Sequence, residues 1–345
     1  MREMSRSRRG ALPRRRRLPL ALAALTVPIL IVSACGGPAS EGAAGRKAAR
    51  GHAAAPAPSA ATPSASRRGL RVRLWSLRGR IAYSRGGDIW VARADGRDAR
   101  RLTATRGPQF DPSWSPDGSR IVYRDSRRGI NVNDEIYVMN ADGTHRRNLT
   151  RSPWNEWSPA WSPDGRLIAF YSGELYVMRA DGTGKRPITR IEGEYPAWSP
   201  DGRRLAFMSP EPGARGRDPN YDIFVVDRDG GGLRRLTDWP GEDGWPAWSP
   251  DGRWIAFTTS HDDHGQFPGL DYRDVYVMRP DGSGKRRLVS AISAAFPVWA
   301  PDGRTVMVVG ERPPSYRDEL WVVRPDGSGL RSTGLGGWLP DWTRC

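Results

Sequence analysis

The chain has 345 residues, fifteen of them Trp, and a formal net charge of +16. That charge is not spread evenly: residues 1–34 carry +7 and residues 36–78 another +7, which leaves +2 for residues 79–345. A nucleic-acid-binding domain needs a basic face of its own, so this balance argues against nucleic acid as partner. The two cysteines, Cys35 and Cys345, are too few for a disulfide framework.

Residues 1–35 read as an export signal. The basic Arg14-Arg15-Arg16-Arg17 precedes an apolar run from Leu18 to Val32, which is short for a membrane span. Val32-Ser33-Ala34-Cys35 resembles a bacterial lipobox, with small residues before a thiol that carries lipid. Cys35 is therefore the expected lipidation site, and the chain is expected to be exported and anchored to the cell membrane on its extracytoplasmic side. Ser7-Arg8-Arg9 is a poor twin-arginine match, which leaves the export route open. Residues 36–78 are rich in Ala, Pro, Gly and Ser and cannot bury enough surface to offset ordering entropy, so they read as a basic tether.

From residue 79 onward one unit recurs. Trp-Ser-Pro-Asp-Gly stands at Trp114–Gly118, Trp161–Gly165, Trp198–Gly202 and Trp248–Gly252, with Ala300 for Ser in the copy at Trp299–Gly303. A worn copy survives at Pro340–Trp342. The tryptophans are 47, 37, 50, 51 and 43 residues apart, the period of a repeat architecture. Each unit opens with an extended lead-in ending Pro-x-Trp. Pro-Asp-Gly then turns the chain, Pro fixing φ and Gly taking the positive value. A second strand follows, such as Leu167–Tyr171 or Trp254–Thr258, and then a third led by an acid: Asp88, Glu135, Glu174, Asp222, Asp274 or Glu319. An Asp-Gly turn and a basic fourth strand ending in Leu-Thr or a relative complete the unit. Four short strands per unit describe a propeller blade.

The two ends differ in register. Residues 80–103 supply strands two to four without a first strand, and residues 338–342 supply a first strand with nothing after it. Together they make one blade. The expected fold is all-β, a six-bladed β-propeller of four-stranded blades over 79–345, closed by pairing of the C-terminal strand with the N-terminal strands. Closure removes exposed sheet edges.

The Trp-Ser-Pro-Asp-Gly turn and the Ile-Tyr-Val-Met-x-x-Asp-Gly-x-x-x-x-x-Leu-Thr stretch resemble the TolB-type propeller repeat, also called PD40 or WD40-like. The resemblance covers about 265 residues and implies the fold, not a particular partner. TolB itself carries an α/β domain ahead of its propeller, which residues 36–78 cannot supply.

The turns after the first and third strands are uniformly tight. The loops after the second strands vary, from Ser172-Gly173 to the long Arg124–Asp134, Ser209–Tyr221, Thr259–Arg273 and Gly310–Asp318. Binding is expected on the variable-loop face. The lead-ins open there too, and offer Phe110, Asp111, Glu156, Trp157, Glu194, Tyr195, Asp243, Trp245, Phe296 and Trp338 as candidate binding residues. An aromatic rim with carboxylates suits sugar rings, peptide strands or cations; aromatics that wedge blade against blade would look the same.

Acids repeated in every blade read as structural, since a site needs asymmetry. His261-Asp262-Asp263-His264 lacks zinc-helix spacing. No nucleophile elbow, P-loop or dinucleotide fingerprint is present, so neither catalytic residues nor a cofactor nor a metal is assigned. The expected function is a monomeric, non-catalytic envelope lipoprotein that binds an envelope protein or a cell-wall glycan. The alternative is a polysaccharide lyase or glycoside hydrolase using Asp111, Glu156, Glu194 and Asp243.

Overall fold

The structure is a computed structural model, and it describes residues 77–210, 220–261, 273–289, 291–311 and 317–343. The export signal with Cys35, the tether up to residue 76, Cys345 and most of the 261–264 cluster lie outside these residues. Among the described residues all regular structure is β, in six four-stranded antiparallel sheets. In chain order these are blade 2 (β4 Gln109–Trp114, β5 Arg120–Asp125, β6 Glu135–Asn140, β7 Arg147–Asn148), blade 3 (β8 Trp157–Trp161, β9 Leu167–Tyr171, β10 Leu175–Arg179, β11 Arg186–Pro187) and blade 4 (β12 Glu194–Trp198, β13 Arg204–Pro210, β14 Tyr221–Asp227, β15 Arg234–Arg235). Blade 5 follows (β16 Asp243–Trp248, β17 Ile255–Thr259, β18 Asp274–Met278, β19 Arg286–Val289), then blade 6 (β20 Ser293–Trp299, β21 Val306–Glu311, β22 Glu319–Val323, β23 Arg331–Gly336).

Blade 1 is composite, as the end registers predict. β1 (Arg80–Arg85), β2 (Asp88–Arg93) and β3 (Arg100–Arg101) are completed by β24 (Trp338–Thr343), which pairs with β1 through Arg80↔Thr343, Ile81↔Trp342 and Ala82↔Asp341. First strands contact one another in ring order, β24 to β4, β4 to β8, and on around to β20 against β24.

The core explains why the ring must close. It consists of six clusters, and each is built from two consecutive blades. Val122, Ile136 and Leu149 of blade 2 meet Trp161, Ile168 and Phe170 of blade 3. In the cluster that closes the ring, Met307, Leu320 and Val322 of blade 6 meet Ile81, Tyr83 and Trp342 of blade 1. Each sheet therefore buries both faces, so second and third strands are nearly all apolar, as in Ile255–Thr259 and Asp274–Met278, where every residue is buried. The motif tryptophans sit in these seams. Trp198 Nε1 donates to Ala160 O at 3.1 Å and Trp299 Nε1 to Ala247 O at 3.2 Å, each in the preceding blade.

The Ser-Pro-Asp-Gly turns are held by their own side chains. Ser115 Oγ accepts from Arg120 N at 2.9 Å and donates to Asp117 Oδ1 at 2.6 Å, while Gly118 takes φ 66°. Hydrogen bonds from Ser115 and Ser119 hold the Asp117 carboxyl down at about 2. The repeated acids and Leu-Thr pairs form a second device: Leu102 N donates to Ile89 O, and Ile89 N donates to Thr103 Oγ1, both at 2.8 Å. A hydroxyl thus takes over from the backbone. This is why most fourth strands stop at two residues, shorter than the sequence pattern suggests.

The first strands are not regular. In all six, the residue before the Pro has a left-handed backbone: Asp111, Ser158, Tyr195, Trp245, Phe296 and Leu339, with φ of 52°, 50°, 48°, 52°, 54° and 50°. Pairing with the second strand shifts register at the same place, which is a β-bulge. Such a backbone costs a bulky residue about 1–2 kcal/mol.

Closure has its own clasp. Asp341 Oδ2 accepts from Trp114 N in blade 2 at 2.6 Å, and Trp342 Nε1 donates to Arg78 O at 2.9 Å. Replacing Asp341 with Ala leaves the Trp114 amide without this acceptor, and should lower unfolding free energy by about 1–3 kcal/mol. Urea denaturation measures this; an unchanged midpoint would show that the clasp carries no stability.

Candidate functional site

Antiparallel order places the turns after first and third strands on one face, and the loops after second and fourth strands on the other. The bulges lie at the loop-face ends of the innermost strands, and they re-aim the residues that precede each Pro. What the bulges bring together differs around the ring.

One arc is aromatic. Tyr195, Trp245 and Phe296 come from consecutive blades; the Tyr195 and Trp245 rings lie 5.7 Å apart, and Trp245 meets Phe296 edge-on at 4.7 Å. The Arg273 guanidinium lies 4.7 Å from the Trp245 ring and donates to Glu242 Oε2 at 2.8 Å. Tyr195 and Trp245 also pack on the seam between blades 4 and 5, and Phe296 on the seam between blades 6 and 1. These three therefore serve as both rim and packing. Trp338 differs, with 46% of its surface exposed.

The opposite arc is polar. Ser158 N donates to Asp111 Oδ2 at 3.2 Å, which links blades 2 and 3. Arg124 reaches across the same two blades, 5.5 Å from the Phe110 ring and 5.1 Å from the Trp157 ring. It donates to Asn131 Oδ1 at 3.0 Å and to Asp134 at close range, so the loop after β5 folds back over it. Trp157 stacks at a tilt on Tyr171, 4.8 Å away. Arg124 and Arg273 are the site residues that the sequence reading did not single out. Both flank the variable loops, where position alone does not tell a solvated arginine from one laid over a ring.

The carboxylates Asp111, Glu156, Glu194 and Asp243 are buried, with 8%, 2%, 3% and 0% of their surfaces exposed. Burial raises the pKa of all four. Their surroundings differ. Arg124 opposes the shift at Asp111, and Lys185 Nζ lies 3.9 Å from Glu156 Oε1. Glu194 is pushed up to about 8, by burial first and then by the Glu192 and Glu242 charges. Asp243 is pushed up to about 7 by burial, with Asp222 adding to the shift. Thus Glu156 and Asp243 stand in separate surroundings, and of the four only Glu194 has another of them, Asp111, among the charges that raise it.

Of the 261–264 cluster, His261 is described, and its ring stacks on Trp239 at 4.8 Å. Among the described residues no group of three or more His, Cys, Asp or Glu side chains is placed to hold a metal.

Glu194 gives a pH signature. Between its ordinary pKa and about 8 the unfolded chain releases a proton that the folded chain keeps. Its contribution to stability is full below the unfolded value and is lost as pH rises through the folded one. The difference in unfolding free energy between wild type and Glu194→Gln should therefore move by up to about 1.4 kcal/mol per pH unit, in favour of the variant as pH rises from 5 to 8.5. Denaturation at several pH values checks it; a constant difference would mean that the carboxyl titrates alike in both states.

Residues 89–195 and 174–314 match the family described as the TolB beta propeller domain, PD40. The Tol-Pal system protein TolB of Nitratidesulfovibrio vulgaris is 44% identical over 36 residues, which are 10% of this chain and 8% of that protein. The crystal structure of TolB from Acinetobacter baumannii superposes with a TM-score of 0.62 at 23% identity, covering 77% of this chain and 66% of that one. An oligogalacturonate lyase in complex with manganese superposes with a TM-score of 0.50 at 17% identity, covering 74% of this chain and 73% of that one. At these identities the two structures share the fold alone. The family match spans well over half of the chain, and the chain belongs to the TolB beta-propeller (PD40) family.

Proposed function

We propose that this protein is an exported lipoprotein, anchored through Cys35, whose propeller binds an envelope protein or cell-wall glycan without catalysing a reaction. The observation that carries this reading is the asymmetry of the loop-face mouth. Six bulges of the same geometry present four apolar residues in succession, Tyr195, Trp245, Phe296 and Leu339, then Asp111 and Ser158. A packing device repeated in every blade has no need of such a division. A partner that lays an apolar stripe on one arc and a polar edge on the other would read both.

The dispersal of the buried carboxylates favours binding over catalysis. A hydrolase needs two carboxyl groups facing one substrate across a cleft. Glu156 lies beside Lys185, and Asp243 is fully buried among residues of its own seam. Weak kinship with TolB at the level of the whole chain leaves the partner to be found by experiment.

The packing determines which residue tests the reading. Trp245 supports a seam, so its loss would confuse binding with folding. Trp338 is half exposed and is the cleaner probe. Trp338→Ala should weaken capture of the partner at least about tenfold, as loss of a contact worth about 1.4 kcal/mol or more does, with the melting temperature within about 2 °C of wild type. Trp245→Ala should lower both. Undiminished capture by both variants would place the binding surface elsewhere.

A further inference from the structure

The acid that opens each third strand is neutralised in three blades by an arginine of the fourth strand, two residues before the Thr or its equivalent. Arg101 Nη2 lies 2.6 Å from Asp88 Oδ2, Arg235 Nη2 lies 2.7 Å from Asp222 Oδ2, and Arg287 Nε lies 3.1 Å from Asp274 Oδ2. In blade 2 this position is Asn148. Its Oδ1 is taken by the amides of Thr150 and Arg151, at 2.9 and 3.0 Å. Glu135 is left with Thr150 Oγ1 at 2.9 Å, Ser152 N at 3.3 Å and Asn133 Nδ2 at 3.4 Å, and with no ion pair among the described residues.

Where the longer side chain would lie there is an open cleft of about 550 Å³, lined by Arg128, Asn133, Glu135, Asn148, Arg151 and Ser152 among others. Among the described residues neither the Arg128 nor the Arg151 guanidinium, both on exposed residues, makes an ion pair, and Asn133 Oδ1 is buried without a hydrogen-bond partner. The two loops that form the walls are tied together: Asn155 Nδ2 donates to Asn131 O at 2.9 Å, and Asp134 N to Asn155 Oδ1 at 3.0 Å. Beyond the rim, Val132 and Trp154 on these loops are 56% and 70% exposed.

A carboxylate without the arginine that blades 1, 4 and 5 give it, and two exposed guanidinium groups, thus line one cleft; blades 3 and 6 lack the clamp arginine too, with Pro187 and Ser332 in its place. We propose that this cleft binds a free α-amino acid. Its ammonium takes the place that the arginine holds in blades 1, 4 and 5, against Glu135 and Asn133 Oδ1. Its carboxylate lies between Arg128 and Arg151, with Asn148 Nδ2 as a further donor, and its side chain extends toward Val132 and Trp154. A simple anion would leave Glu135 unneutralised, and a simple cation would meet two like charges. The site is on the outer strands of one blade, and the inference stands apart from the reading of the channel mouth.

The test is calorimetric titration of the full-length protein with each of the twenty amino acids up to about 10 mM. The tightest ligand is then compared with its N-acetyl and its carboxamide derivatives. Both derivatives should bind at least about tenfold more weakly, since each loses a charge-assisted pair. Asn148→Arg restores the clamp of blades 1, 4 and 5; it should keep or raise the melting temperature and abolish binding. Arg128→Gln with Arg151→Gln provides a second variant, should Asn148→Arg fail to fold. Binding by none of the twenty, equal binding of both derivatives, or full binding by the folded variants would overturn the proposal.

Discussion

No blade of this protein has a core of its own. Each sheet is one wall of two seams, and the six clusters of buried side chains all lie between neighbouring blades. A blade at the end of an open row would leave an apolar face and an unpaired inner edge in water, which is unfavourable on both counts. Joining β24 to β1 removes both exposures at once, and the stability of every other seam depends on that junction. The tight Pro-Asp-Gly turns follow from the same constraint, because blades that share seams on both sides have to be alike in strand length and pitch.

A closed ring of like blades supplies a frame but no site. The bulges add the means of making one. Proline cannot donate to a ladder, and within a sheet it is tolerated at edges and bulges; here it stands on the innermost strand, beside a bulge in all six blades. The backbone is the same six times while the side chain before each Pro is free to differ. The ring can therefore vary its mouth one blade at a time without disturbing the seams. The strain at Tyr195, Trp245 and Phe296 is offset by ring contacts with their neighbours.

Much of this was legible in the sequence, because the features that fix the fold repeat. Six acid-led strands and six Pro-x-Trp lead-ins set the number of blades, and the unequal ends at residues 80 and 342 showed how the ring closes. What was not legible depends on neighbours distant in the chain. The surroundings of Glu194 and Asp243 reach beyond their own blade, to Glu242, Arg124 and Asp111 around Glu194 and to Thr237 and Asp222 beside Asp243. Arg124 and Arg273 gain their meaning from rings on strands far from them in sequence. The bulges had a signal, a proline at the centre of what read as a plain extended lead-in. Asn148 had one as well, since it stands where blades 1, 4 and 5 have arginine.

The central functional claim is that one face of the disk binds and the other does not. Photocrosslinking in the protein's own cells tests it most directly, with a short photoreactive side chain placed at position 338 on the loop face and, separately, at position 229 in an Asp-Gly turn on the opposite face. The account predicts a discrete adduct from position 338 and none from position 229. The same adduct from position 229 alone, or from both positions equally, would contradict it.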